Sequence, residues 1–149
     1  MRAEYRHTNI VAEDWRKLAE FYQQIFGCKP VPPERASSAE WVEKCTAVPG
    51  ARIRGIHLRL PGLGDDGPTL EIFQYNRARK RPETAINRPG FAHIAFEVDD
   101  VEAARDEVLA AGGGCVGDLV TAEITDAGRI TFVYMTDPEG NIIELQKWA

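Results

Sequence analysis

The amino-acid sequence passes twice through one pattern of apolar periodicity, and this duplication restricts the fold more than any other feature. Residues 4–11 alternate like a strand. Asp14 is placed to cap a helix on which Trp15, Leu18, Tyr22 and Ile25 keep helical spacing, and Gly27 can take the left-handed stop. Residues 90–98 alternate again, Asp99 and Glu102 have the spacing of a capping box, and Val101, Ala104, Val108 and Ala111 form the next stripe, ending at Gly112 to Gly114. Three strand-like runs follow each helix, at about 28–34, 51–60 and 68–76 and then at about 115–124, 129–136 and 141–148. Each half therefore reads β-α-β-β-β. A sheet covered by a helix on one face leaves the other face bare, so the halves are read as one domain, 1–149, of two modules at about 4–76 and 90–149. Residues 77–89 join them as a basic, proline-punctuated segment, for which a solvated linker is preferred to a contact for an anionic substrate tail. The extra length of the first module falls between Cys28 and Gly50, with a short helix expected at 39–46.

Composition narrows the setting. With 149 residues, 44% of them hydrophobic, the chain can bury a core without disulfides or a structural metal. No apolar run approaches the roughly 20 residues of a membrane span, and residues 1–7 lack the apolar stretch of a signal peptide. Cys28, Cys45 and Cys115 are far apart and in no C-x-x-C arrangement, so reduced thiols in a soluble cytoplasmic protein are expected. A net charge of −5 disfavours nucleic acid and anionic membrane as partners and leaves a small-molecule substrate.

Strand parity locates the candidate chemistry, because side chains two apart share a face. His7 and His93 stand on the first strands of the two modules, and Glu71 and Glu144 on the last. Ile94, Phe96 and Val98 form an apolar face opposite His93, Ile143 and Leu145 one opposite Glu144, and Leu70 and Ile72 one opposite Glu71. The apolar faces suit the helices, which leaves both histidines and both glutamates on the opposite faces. Two imidazoles and two carboxylates suit a divalent cation: nitrogen and oxygen ligands, no thiolate, and two charges to balance the metal. Such ligands accept Ni, Co, Zn, Mn or Fe. His57 has no counterpart histidine in the second module and is assigned to substrate contact or surface. Gly112 to Gly114 follow a helix and are no phosphate cradle, and Asp137 to Asn141 have turn chemistry without calcium-ligand spacing.

The segments His7 to Asp14, Phe21-Tyr22 through Phe26-Gly27, Phe91 to Asp100, and Asp137-Pro-Glu-Gly-Asn-Ile-Ile-Glu144-Leu resemble the vicinal oxygen chelate superfamily. That superfamily includes glyoxalase I, methylmalonyl-CoA epimerase, extradiol dioxygenases and bleomycin-resistance proteins. The resemblance implies an α+β fold of paired βαβββ modules forming a curved mixed sheet around a cavity, and a homodimer in which the modules pair within one chain or across two. His7, Glu71, His93 and Glu144 match the His, Glu, His, Glu ligand set of bacterial glyoxalase I. Members of this kind rearrange a substrate through an enediolate or enolate, which makes Glu144 and Glu71 candidate base and acid as well as ligands. The positions that hold glutathione in the bacterial enzymes are Val11 and Tyr75 here, and an aliphatic side chain cannot bind a carboxylate. Glutathione hemithioacetal is therefore not the expected substrate.

The leading expectation is a metal-dependent isomerase, epimerase or lyase that removes a proton beside a carbonyl or vicinal oxygens. An Fe(II) ring-cleaving or related oxygenase using His7, His93 and Glu144 is one alternative, with Glu71 counting against it. A metal-free protein that binds a small molecule or drug is another, with Phe73, Tyr75, Phe91 and Trp148 as candidate pocket residues. Asn9, Arg54 and His57 complete the candidate substrate contacts, Arg54 for an anionic group.

Overall fold

The computed structural model describes residues 1–149, which form two compact units, Met1–Arg81 and Pro82–Ala149. The division falls inside the basic segment read as a linker, which carries no helix or strand.

The first unit contains β1 (His7–Val11), α1 (Trp15–Phe26), β2 (Lys29–Ser37), α2 (Glu40–Thr46), β3 (Ile53–Arg59) and β4 (Thr69–Tyr75). Its sheet order is β1-β4-β3-β2, with β1 parallel to β4 and the other pairs antiparallel. The Asp14 side chain accepts the backbone N–H groups of Arg16 and Lys17, and Gly27 takes the left-handed conformation at φ 65°, so α1 begins and ends where its cap residues allow. Trp15, Leu18, Ala19, Phe21 and Tyr22 are its buried stripe. Below them Leu58, Leu70 and Ile72 are fully buried on one face of the sheet. β2 is the edge strand, where Pro30, Pro32 and Pro33 cost least because one side of the strand needs no ladder donor. Its register shifts between Val31 and Arg35.

The second unit contains β5 (His93–Glu97), α3 (Val101–Ala110), β6 (Gly114–Cys115), β7 (Val120–Ile124), β8 (Gly128–Thr136) and β9 (Ile142–Trp148). Its sheet order, β5-β9-β8-β6, repeats that of the first unit element for element, and β7 also pairs with β8. Val108, Val133, Met135, Ile143 and Leu145 are fully buried between α3 and the sheet. Two expectations are corrected here. The single strand expected at 115–124 is two short strands, because Gly117 and Asp118 interrupt the pairing with β8. The cap of α3 is Asp100, whose carboxylate accepts the Ala103 N–H at 3.0 Å, and not Asp99, whose carbonyl takes the Lys147 ammonium. Adjacent aspartates look alike in sequence; only the one in extended conformation just before the first helical turn can cap it.

The two units are therefore repeats of one α+β design, a βαβββ order to which the first unit adds α2 and the second adds β7. No helix is long and apolar enough to cross a membrane.

Candidate metal centre

In the first unit Glu71 lies on the central strand β4, between β1 and β3. Asn9 is abreast of Glu71 on β1, so His7, two residues earlier, shares its face and approaches on the diagonal. His7 Nε2 is 3.8 Å from Glu71 Oε2. In the second unit Ala95 is abreast of Glu144, and His93 again stands two residues earlier. His93 Nε2 is 2.9 Å from Glu144 Oε2. The duplicated His and Glu thus occupy the same register positions in both sheets, and both glutamates are largely shielded, with 14% and 12% of their side chains exposed.

The remaining strand of each sheet adds a group that sequence reading placed elsewhere or missed. His57, on β3, is directly abreast of Glu71, and its Nε2 lies 2.9 Å from Glu71 Oε1. Its Nδ1 lies 2.9 Å from the hydroxyl of the buried Thr69. Burial is the largest influence on this imidazole and lowers its pKa; the Glu71 carboxylate opposes that shift, and the neighbouring Arg35 and His7 add to it. The neutral ring that results suits a donor at Nε2 and an acceptor at Nδ1. In the second unit the residue abreast of Glu144 is Tyr134. Burial raises the Tyr134 pKa first, and the charge of Glu144 and a hydrogen bond to it add to the shift. A histidine and a tyrosine are thus counterparts across the repeat. No residue-type match could reveal this, but the antiparallel pairing of the third and fourth strands of each unit does.

The other candidates divide between the site and positions away from it. Asn9 donates from Nδ2 to Glu71 Oε2 at 2.8 Å, so it serves the carboxylate directly. Phe73 and Tyr75 are partly buried against a small core of Val42, Ala51 and Ile53 on the Glu71 face, and the Phe73 ring also lies edge-on to the His57 ring, with centroids 6.1 Å apart. Arg54 has the parity of Ile56 and Leu58 and lies on the face opposite His57. Phe91 precedes β5 and is fully exposed, and Trp148 at the end of β9 is partly exposed. Val11 is exposed at the end of β1.

A divalent ion needs about four protein or solvent ligands, and each unit offers a His–Glu pair of suitable nitrogen and oxygen donors. Within each unit no three His, Cys, Asp or Glu side chains are gathered to hold an ion alone. The donor chemistry nevertheless fits a divalent cation: imidazole nitrogen, carboxylate oxygen, and hydrogen-bonding partners already in place behind the carboxylates. Glu144 is further fixed by the turn that feeds β9. The buried Asp137 accepts the backbone N–H groups of Glu139 and Asn141 and the Asn141 amide, each at 2.7–2.9 Å, which sets the entry of Ile142 into the sheet.

Comparison with known proteins bears on the family and the fold. Over 141 residues the chain is 26% identical to a probable lactoylglutathione lyase of Vibrio parahaemolyticus, covering 93% of this chain and 86% of that one. It is 23% identical over 141 residues to an ethylmalonyl-CoA/methylmalonyl-CoA epimerase of Cereibacter sphaeroides, covering 95% of each. Among solved structures, a glyoxalase family protein from Bacillus cereus superposes with a TM-score of 0.75 at 18% identity, over 99% of this chain and 94% of that one. A mutant of the fosfomycin resistance protein FosX from Listeria monocytogenes, complexed with Mn(II) and 1S,2S-dihydroxypropylphosphonic acid, superposes with a TM-score of 0.57 at 18% identity, over 100% and 95% of the two chains. Residues 5–145 match the glyoxalase family profile, so the chain belongs to the Glyoxalase/Bleomycin resistance protein/Dioxygenase superfamily.

Proposed function

We infer that the protein is a metal-dependent isomerase, epimerase or lyase acting on a small substrate with a carbonyl or vicinal oxygens, in which His7, Glu71, His93 and Glu144 serve one divalent cation. The observation that carries this reading is the repeated register: each histidine stands two residues before the position abreast of its glutamate, in both units. A chance pair of surface residues would not recur at the same place on two sheets. When bound, the cation supplies electrostatic stabilisation for negative charge on a substrate oxygen. The chain's own part is proton transfer. Glu144 and Glu71 are the only carboxylates in the two pairs, and either can take a proton from the carbon beside that oxygen and return it to the same or the adjacent carbon.

Three features refine the substrate, the setting and the assembly. Val11 and Tyr75 stand where bacterial glyoxalase I holds glutathione, and Tyr75 is packed against the α2 core, so neither offers a charged group to a peptide carboxylate. Three free thiols accord with a cytoplasmic setting. A homodimer follows from the family likeness, and light scattering is expected to show two chains per particle.

The test is metal analysis of chelator-treated protein reloaded with Mn, Co, Ni, Zn or Fe. One ion per chain is expected, lost in both His7→Ala and His93→Ala. The loaded protein is then expected to exchange the substrate's α-proton with deuterated solvent for an acyl-thioester or hydroxy-carbonyl compound, and to leave glutathione hemithioacetal unconverted. Protein that retains no stoichiometric metal would sink this reading.

A further inference from the structure

We propose that Arg35 is a specificity-determining residue that binds a carboxylate of the substrate, set apart from the oxygens that meet the cation. The substrate class is then a small oxygen-chelating compound with one further carboxylate. The inference rests on the metal-dependent reading above, and it concerns the first unit alone.

The edge strand β2 brings Arg35 to the face of Glu71. Val31 is abreast of His57 and Arg35 abreast of Gly55, so β2 advances four residues while β3 advances two. The extra length at Pro32, Pro33 and Glu34 bends the strand and keeps Arg35 on the face of Gly55 and His57. His57 is itself abreast of Glu71, which makes Arg35 the diagonal neighbour of His57 on the side away from Glu71. Its charge is close enough to act on the His57 ring.

Arg35 is half-buried and forms no ion pair. Glu34, next to it in sequence, points to the opposite face, where Arg16 of α1 holds its two oxygens at 2.9 and 3.0 Å. Glu71 is the only acid at the strand positions of the Arg35 face. The one hydrogen bond of the guanidinium runs from Nη1 to the Pro33 carbonyl of its own strand, which orients the side chain and leaves most of its donors unused. The other two cations of this face are placed differently. Arg59 turns to the Gly67 carbonyl in the loop between β3 and β4, and Lys29 is exposed at the start of β2. An unpaired guanidinium fork matches a planar carboxylate, and its single charge balances one carboxylate, whereas a phosphate group brings nearly two at neutral pH. Strands are about 4.8 Å apart, so Glu71 and Arg35 are separated by about 10 Å across the sheet. Both side chains rise from one face, and a substrate of a few carbon atoms spans the space left between them.

The experiment is calorimetric titration of Co(II)-loaded full-length protein with butanohydroxamate and with succinic monohydroxamate. Both offer a metal the same two vicinal oxygens on a carbon chain of the same length; only the second ends in a carboxylate. The visible Co(II) spectrum reports whether each reaches the metal. The natural chain is expected to bind succinic monohydroxamate about 10-fold or more tighter than butanohydroxamate. Arg35→Gln should lose that preference and keep its affinity for butanohydroxamate, and Arg35→Lys should retain part of the preference. Lys29→Gln removes the same charge from the same strand and face and should leave the preference intact. Arg35→Lys carries the test if Arg35→Gln does not fold. Equal binding of the two compounds by the natural chain would overturn the assignment, as would a preference undiminished in Arg35→Gln or lost equally in Lys29→Gln; the metal reading stands in each case. A natural chain that takes up no Co(II), or whose spectrum responds to neither hydroxamate, would take down the metal reading itself, and the role of Arg35 with it.

Discussion

Cys28 follows the left-handed cap of α1 with 3% of its surface exposed, and burial pushes its thiol up to about 11 from an ordinary value near 9. Cys45 and Cys115 are exposed. Because the thiolate is the reactive form, iodoacetamide at pH 8 is expected to label Cys45 and Cys115 in the folded protein and Cys28 only after denaturation, as peptide mass spectrometry would show. The linkage runs in one direction. Between pH 9 and about 11 the unfolded chain loses the Cys28 proton while the folded chain keeps it, so stability falls as pH rises through that window. Cys28→Ala should flatten this alkaline slope in urea titrations, and an unchanged slope would contradict it. The same scale shows what could be read before folding. His7, His93, Glu71 and Glu144 were legible because strand parity is local. The partners of the glutamates were not, because His57 and Tyr134 meet them through pairing between strands distant in sequence, and residue type does not mark the match.

Among the elements, α1 was legible to the residue at both ends, since Asp14 and Gly27 act through their own chemistry and need no tertiary partner. The short helix α2 was legible in place but not in purpose. It carries Val42, fully buried, onto Ala51 and Ile53, with Val48, Phe73 and Tyr75 packed around them. It therefore closes part of the sheet face that also bears Glu71, with Phe73 and Tyr75 partly buried at its margin. Gly55 belongs to the same packing: a side chain there would run into the Phe73 ring and the Ile72 carbonyl. Val42→Ala removes two buried methyl groups and is expected to cost about 2 kcal/mol, measured by urea denaturation. Co(II) affinity should stay within about twofold, because none of the proposed ligands touches this core. A large loss of affinity would mean that α2 supports the site as well as the sheet.

For the molecule as a whole, the duplicated sheet order gives each unit one His–Glu pair and neither unit a complete ligand set. That division has a thermodynamic consequence. An ion that binds the folded chain and not the unfolded one stabilises the fold in proportion to its affinity. Free metal at a hundred times its Kd adds about 2.7 kcal/mol to the folded state. For a chain of 149 residues that corresponds to a rise in Tm of roughly 5–10 °C. The expected result in differential scanning calorimetry is a single transition that moves up with metal, and a shift abolished by either His7→Ala or His93→Ala. If His7→Ala removed the shift while His93→Ala left it intact, the first unit would be binding its ion alone, and the assignment of one ion to both pairs would fall. The metal-free Tm of each variant provides the reference that separates lost ligation from lost folding.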